Sequence, residues 1–139
     1  MKTITVVAIA MVDADGRVLL AQRPQGKSMA GMWEFPGGKL EAGETPEAAI
    51  RREINEELNV EICAHCFAPL TFVSHAYADF HLIMLLYVAH KWEGIPTPTE
   101  GQTLIWKRPR QMRDMPMPPA DVPLIAALED YLLSASSSM

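Results

Sequence analysis

The chain alternates between apolar runs and polar, glycine-containing stretches, and these mark most of its elements. Residues 3–12 and 17–22 are short β-branched and apolar runs on either side of "DADG", the pattern of two strands joined by a turn. "RPQGKSMAGMW" reads as a polar loop, and "EFPGGKLEAGE" as a second loop too rich in glycine to be regular. A helix starts at Thr45-Pro46: Thr is a good N-cap, Pro suits the first helical position, and Glu47 suits the positive helix end. Ala48, Ala49, Ile50, Ile54 and Leu58 supply its apolar stripe, and the helix stops near Leu58. Residues 61–76 and 80–90 are predicted strands with "HAYAD" as the bend between them. "WEGIPTPTEGQ" is a loop, "TLIWK" a short strand and "RPRQMRDMPMPPADVP" an irregular connection. A last amphipathic helix covers 122–133 with Ile125, Leu128, Tyr131 and Leu132 inward, and "SASSSM", 134–139, is expected to be a disordered tail. The order β, β, loop, helix, strands, helix predicts an α/β protein with a mixed sheet covered by helices, but periodicity alone does not name the fold.

Length and composition narrow the class. The 139 residues suit one domain, 1–139, with 49% hydrophobic and 21% charged residues, as in ordinary globular proteins. A net charge of -5 offers no global attraction for nucleic acid or anionic membrane, so a highly anionic substrate needs local help from metal ions or a few placed basic side chains. No apolar run approaches the roughly 20 residues of a membrane span. The opening "MKTITVVAIAMV" is short, β-branched and runs into a turn, which favours a first strand over a signal peptide and a cytoplasmic location. Cys63 and Cys66 form one C-x-x-C without the second pair a structural zinc site usually needs, and are expected to be two ordinary semi-buried thiols.

The chemistry gathers in "REINEELNV". Glu53, Glu56 and Glu57 stand at i, i+3 and i+4 and share one helix face. Such spacing costs a few tenths of a kcal/mol per like-charged pair in water, and carboxylates near a helix C-terminus oppose the macrodipole. A charge run is usually a solvated face. Here, though, Gly37-Gly38 precede the helix and let backbone approach a ligand, and Arg51 and Arg52 offer partial neutralisation. Several carboxylate oxygens on one rigid element are what hard cations such as Mg²⁺ or Mn²⁺ bind, and Mg²⁺ is typically shared with substrate phosphates.

From Gly38 the chain reads "GKLEAGETPEAAIRREINEELNV". This resembles the Nudix box, with Gly38, Glu44, Arg52, Glu53, Ile54, Glu56, Glu57 and Val60 at its positions and Asn59 in place of the usual glycine. "RPQGKSMAGMWEFPGGK", "WEG", "EGQ" and "PPADVPLIAAL" extend the likeness to MutT-type enzymes over nearly the whole chain. The resemblance implies the Nudix α/β/α sandwich, a mixed sheet between helices. It also implies metal-dependent attack of water on a nucleoside triphosphate, giving the monophosphate and pyrophosphate, with nucleotide-pool sanitising of 8-oxo-dGTP as the leading role.

By the same resemblance Glu56 and Glu57 are the principal metal ligands, joined by the carbonyl of Gly37 and by Glu100 from a later loop. Glu53 is a general base or a ligand to a second ion. Arg52 and Glu44 orient the acidic side chains, with Gly38 holding the loop, and look more structural than catalytic. Arg23 and Lys39 are candidates for phosphate, and Phe35 and Phe80 for a base pocket, with core packing the alternative for both rings. Asp121 stands where MutT-type enzymes carry an Asn that reads the oxidised guanine edge. Ionised Asp only accepts hydrogen bonds, whereas protonated Asp both donates and accepts, and Asp121 is equally suited to cap the last helix. Two other substrate classes keep the same chemistry: CTP-like pyrimidine nucleotides and dinucleoside polyphosphates, the latter hinted at by Tyr77. A non-catalytic nucleotide-binding module is the reading from another class. It tends to lose box glutamates, and none is missing here. The partner expected throughout is a small-molecule nucleotide, with no membrane and no nucleic acid.

Overall fold

The structure, a computed structural model, describes residues 1–137. Its central sheet has four strands in the order β4-β1-β6-β5: β1 (Lys2–Met11), β4 (Gly37–Lys39), β5 (Phe67–Ala76) and β6 (Phe80–Ala89). β1 runs parallel to β6 from Lys2 opposite Phe80 to Met11 opposite Ala89, while β4 and β5 pair antiparallel, so the sheet is mixed. A second, antiparallel sheet holds β3 (Trp33–Glu34), β2 (Val18–Gln22) and β7 (Leu104–Lys107) in that order.

Period-two alternation along β1 sorts its side chains to two cores. Val7, Ile9 and Met11 pack with Ala49, Ile50, Ile54 and Leu58 of helix α1 (Pro46–Leu58). Ala8, Ala10 and Val12 pack with Leu124, Ile125 and Leu128 of helix α3 (Val122–Ser137), with Tyr131 and Leu132 at its margin. Helices therefore cover both faces of a mixed sheet, which is the α/β sandwich that the sequence implies.

Five expectations change. Strand β4 runs through the glycine-rich stretch expected to be irregular: Gly37 lies so close to β1 that a Cβ on it would sit 2.0 Å from the Val7 carbonyl oxygen, so glycine permits the pairing. The strand expected over 61–76 starts only at Phe67. Ahead of it, Cys63 and Cys66 close a turn and are joined as a disulfide rather than standing as two thiols. The connection from 108 holds a short helix α2 (Pro109–Met112). The stretch expected to be a disordered tail is helical as far as Ser137, and Ser138 and Met139 lie outside the described residues.

The start of α1 is as expected, with the Thr45 hydroxyl accepting from the Ala48 N–H. At its end Asn59 is left-handed, φ 55° and ψ 41°, and its N–H bonds the Asn55 carbonyl. Asn is the residue that best tolerates this position after glycine. Asn59→Gly is therefore expected to change unfolding free energy by less than about 1 kcal/mol, and Asn59→Val to cost about 1–2 kcal/mol, in denaturant titrations. Equal stability of the Val variant would mean that the left-handed turn is not what ends the helix.

Candidate active site

Glu53, Glu56 and Glu57 occupy the last two turns of α1, on the side facing β4. The carboxyl group of Glu53 lies directly over Gly38, where any Cβ would come within 2.4 Å of it. This explains why the box begins with glycine: a side chain at 38 would displace the carboxylate at 53. The Gly37 N–H donates to Glu57. Two consecutive glycines on β4 thus serve two box carboxylates, Gly37 through its N–H and Gly38 through its missing side chain.

Arg52 is the clamp. Its Nε and Nη2 meet the two carboxylate oxygens of Glu44 at 2.7 and 3.0 Å, a fork-on-fork pair. Nη1 reaches Glu53 at 2.8 Å and Glu56 at 3.4 Å, and Nη2 also donates to the Lys39 carbonyl at 3.2 Å. The guanidinium holds Glu44 below its ordinary value, and is itself held further protonated, first by Glu44. Sequence reasoning expected Arg52 and Glu44 to orient the acidic side chains, and the structure pairs the two beside Glu53 and Glu56. Lys39 lies beside them with an exposed side chain.

Crowding shows in the electrostatics. Burial, then the charges of Glu53 and Glu34, push Glu57 up to about 8. Burial also raises Glu53, against the pull of its bond to Arg52. Among the described residues these carboxylates do not converge as a ready-made cage. Glu53 turns to Arg52 and Glu57, Glu57 to the Gly37 amide, and Glu56 is 60% exposed. The donor set is nevertheless all oxygen and anionic, and its mutual repulsion is what a hard divalent cation relieves. Mg²⁺ keeps several waters and substrate oxygens, so one or two of these carboxylates suffice to hold it.

Glu100 is brought here by the helix end. The strap 97–102 supplies donors to carbonyls that the last turn of α1 leaves unpaired. Thr97 N–H bonds the Leu58 carbonyl at 2.9 Å, Thr99 N–H the Glu57 carbonyl at 3.1 Å, and the Thr99 hydroxyl the Glu56 carbonyl at 2.6 Å. Buried Gln102 donates to the Glu57 carbonyl and accepts from the Glu100 N–H at 2.9 Å. Glu100 is close enough for its charge to raise Glu57, and it pairs with Lys27 at 3.6 Å. Sequence reasoning missed Thr99, Gln102 and Lys27. The polar "TPTEGQ" is the only trace of Thr99 and Gln102, because a loop gives no sign of which helix end it will cap, and Lys27 stands in a separate polar loop.

A second group lies toward α3. Arg23 is held by Glu34 at 2.8 Å and by the Ser28 carbonyl at 2.7 Å. Glu34, also missed from sequence, is raised by burial, and its charge acts on both Glu57 and Asp121. Asp121 is 2% exposed, and burial and then Glu34 push it up to about 7. Its carboxylate accepts from the Phe35 N–H. The amide of Leu124 in the first turn of α3 goes to the Asp121 backbone carbonyl, while the Asp121 side chain meets the Phe35 N–H just past β3. Phe35 itself is buried in the α3-side core. Phe80 stacks on Tyr77 at 5.0 Å, and the Tyr77 hydroxyl accepts from the Ala120 N–H at 3.3 Å, so both rings reach the Asp121 segment through core packing. A separate cavity of about 600 Å³ beyond the end of β1, lined by Asp13, His90, Arg108 and Glu129 among others, contains none of the box carboxylates.

The family model described as "NUDIX domain" matches residues 7–127. The chain is 39% identical to the CTP pyrophosphohydrolase of Escherichia coli K12 over 129 residues, covering 91% of this chain and 92% of that protein. It is 33% identical to the 8-oxo-dGTP diphosphatase of the same organism, covering 93% and 98%. The crystal structure of the MutT Nudix hydrolase from Burkholderia pseudomallei superposes with a TM-score of 0.75 at 33% identity, covering 93% of this chain and 98% of that one. The matches run through the whole glutamate box and well past it on both sides, and on them the chain belongs to the Nudix family, as a pyrophosphohydrolase of the MutT type.

Proposed function

We propose that the protein hydrolyses a nucleoside triphosphate to the monophosphate and pyrophosphate with the help of Mg²⁺ or Mn²⁺, and that its substrate is an oxidised purine nucleotide such as 8-oxo-dGTP. The observation that carries the chemistry is the crowding of Glu53, Glu56 and Glu57 against Gly37 and Gly38, with Glu100 close enough to add its charge. A divalent cation held by Glu56, Glu57, Glu100 and the Gly37 carbonyl would neutralise phosphate charge, which is the main barrier to attack by water. Glu53 takes the role of general base: its carboxyl group is raised by burial, which makes it a better proton acceptor, and Arg52 fixes its direction. Arg52 and Glu44 are positioning residues.

Asp121 supports the purine reading. A carboxyl group pushed up to about 7 is part protonated at neutral pH, and protonated Asp offers the donor and acceptor that Asn offers. Arg23 and Glu34 flank it, so Arg23 serves this end of the site rather than the phosphates. The second reading is a CTP-like pyrimidine nucleotide, favoured by the 39% identity to a protein named for CTP. The dinucleoside polyphosphate reading loses its support, because Tyr77 is engaged with Ala120 and Phe80.

Three outcomes follow. Glu53→Gln, which keeps the shape over Gly38, is expected to lower kcat by about two to four orders of magnitude with little change in Tm, and a near-normal kcat would remove Glu53 from the proton transfer. In kcat/KM measurements over 8-oxo-dGTP, dGTP, CTP and dCTP with Mg²⁺, 8-oxo-dGTP should lead, and CTP ahead of it would establish the pyrimidine reading instead. The third concerns pH. Between 3.8 and about 7 folded Asp121 keeps a proton that the unfolded chain has lost, so its contribution to stability is present at the acid end and is lost as pH rises through that window. Asp121→Asn has no such proton to lose. The Tm of the Asn variant minus that of the parent should therefore climb by several degrees across the window, since each kcal/mol moves Tm by roughly 3 °C at this size. Parallel Tm curves would show that Asp121 ionises normally in the fold.

A further inference from the structure

We propose that Cys63–Cys66 is a reversible thiol–disulfide site, reduced by a dithiol, whose opening loosens the strap that carries Glu100. Both cysteines line a cavity of about 330 Å³ together with Arg51 of α1, Lys91 and Trp92 and the acidic pair Glu61 and Glu93. Cys63 is exposed and Cys66 half-buried, so an incoming thiolate has access to the Cys63 sulfur first. The reductant's thiolate attacks Cys63 Sγ, the S–S bond breaks, and Cys66 leaves as a thiolate. The reductant's second thiol then resolves the mixed disulfide, forming the reductant's own disulfide and releasing Cys63. Two electrons and two protons pass from the dithiol to the protein. Arg51 and Lys91 on the cavity wall favour the leaving thiolate.

What makes the site more than a surface staple is what its turn is tied to. The disulfide closes residues 63–66 into a ring reinforced by the Cys66 N–H to Cys63 carbonyl bond at 3.0 Å. Immediately before the ring, the Ile62 carbonyl accepts from Arg51 Nε of α1 at 2.9 Å. Glu61 exchanges both backbone hydrogen bonds with Glu93, at 2.8 and 3.1 Å. Glu93 stands four residues ahead of the strap that caps the α1 carbonyls through Thr97, Thr99 and Gln102 and delivers Glu100. Immediately after the ring, Phe67 packs edge-on against Tyr87, whose hydroxyl donates to Glu47 in the first turn of α1. One ring therefore anchors the strap and reaches both ends of the helix that bears the box. Reduction frees the turn to sample more conformations and weakens the anchor by that entropy.

The test compares the native protein before and after dithiothreitol, without denaturant, using alkylation of thiols and amide hydrogen exchange. Reduction should expose both thiols in the folded protein. It should also lower protection by roughly tenfold or more in 61–66, in 93–102 and in the last turn of α1, while the core of β1 and β6 keeps its protection, as in a local opening. Replacing both cysteines by Ser should reproduce the reduced pattern and abolish the response to dithiothreitol. A disulfide that yields only in denaturant would overturn the proposal, and so would reduction that leaves exchange in 93–102 unchanged. Loss of protection there is read without substrate, so it stands apart from the catalytic reading of Glu100. Only the expected fall in turnover on reduction rests on that reading.

Discussion

Negative charge at the wrong end of a helix is the constraint around which this molecule is arranged. Glu53, Glu56 and Glu57 sit where the α1 dipole repels them, with Glu34 and Glu100 adding their fields from other segments. Within the helix itself Arg52 reaches Glu53 and Glu56, but the helix alone would not hold all three carboxylates so. Three features of the fold do: Arg52 with its fork on Glu44, the glycine pair on β4, and the strap that satisfies the helix-end carbonyls. Each neutralises or orients part of the cluster, and none cancels it: Glu57 is pushed up to about 8 by burial first, and then by the charges of Glu53 and Glu34. The residual repulsion is the driving force that a divalent cation and a phosphate chain would satisfy together.

The sandwich places these features within reach. β1 carries β4 along one edge, so Gly37 and Gly38 are fixed by register against Ala8 and Val7. The odd-numbered face of β1 also seats α1 through Ile50, Ile54 and Leu58. The glycines and the glutamates are thus positioned from the same strand, one set by hydrogen bonds and the other by packing. Strand β1 is buried along its second half, which makes this reference frame rigid.

Legibility followed locality. The three box glutamates, the Thr45 cap and the left-handed Asn59 were readable because each depends on residues within one or two turns. The two-helix cover of the sheet was readable because apolar spacing carries it. Strand β4 was not: its pairing is set by the distant Val7, and glycine-rich sequence looks the same in a loop. The strap's role was hidden too, because Thr97, Thr99 and Gln102 bond carbonyls some forty residues earlier. The disulfide was missed because the C-x-x-C, without a second ligand pair for zinc, read as two ordinary thiols, although its Cα separation of 5.1 Å is an ordinary span for a bridge.

Glu34 shows why the two ends of the site should not be treated separately. It stands on β3, in the sheet that does not carry β4, and sequence offers only a lone Glu between Trp33 and Phe35. Burial raises it, and the 2.8 Å pair with Arg23 offsets only part of that rise. Its remaining charge acts in two directions, on Glu57 in the box and on Asp121 beside α3. A cation that reduced the field at Glu57 would make Glu34 easier to ionise, because Coulomb coupling is mutual. More charge on Glu34 would in turn favour the protonated form of Asp121. That form both donates and accepts, so under the proposed function charge neutralised at a triphosphate and the hydrogen-bonding face offered to a base would be coupled through one carboxylate that neither motif contains.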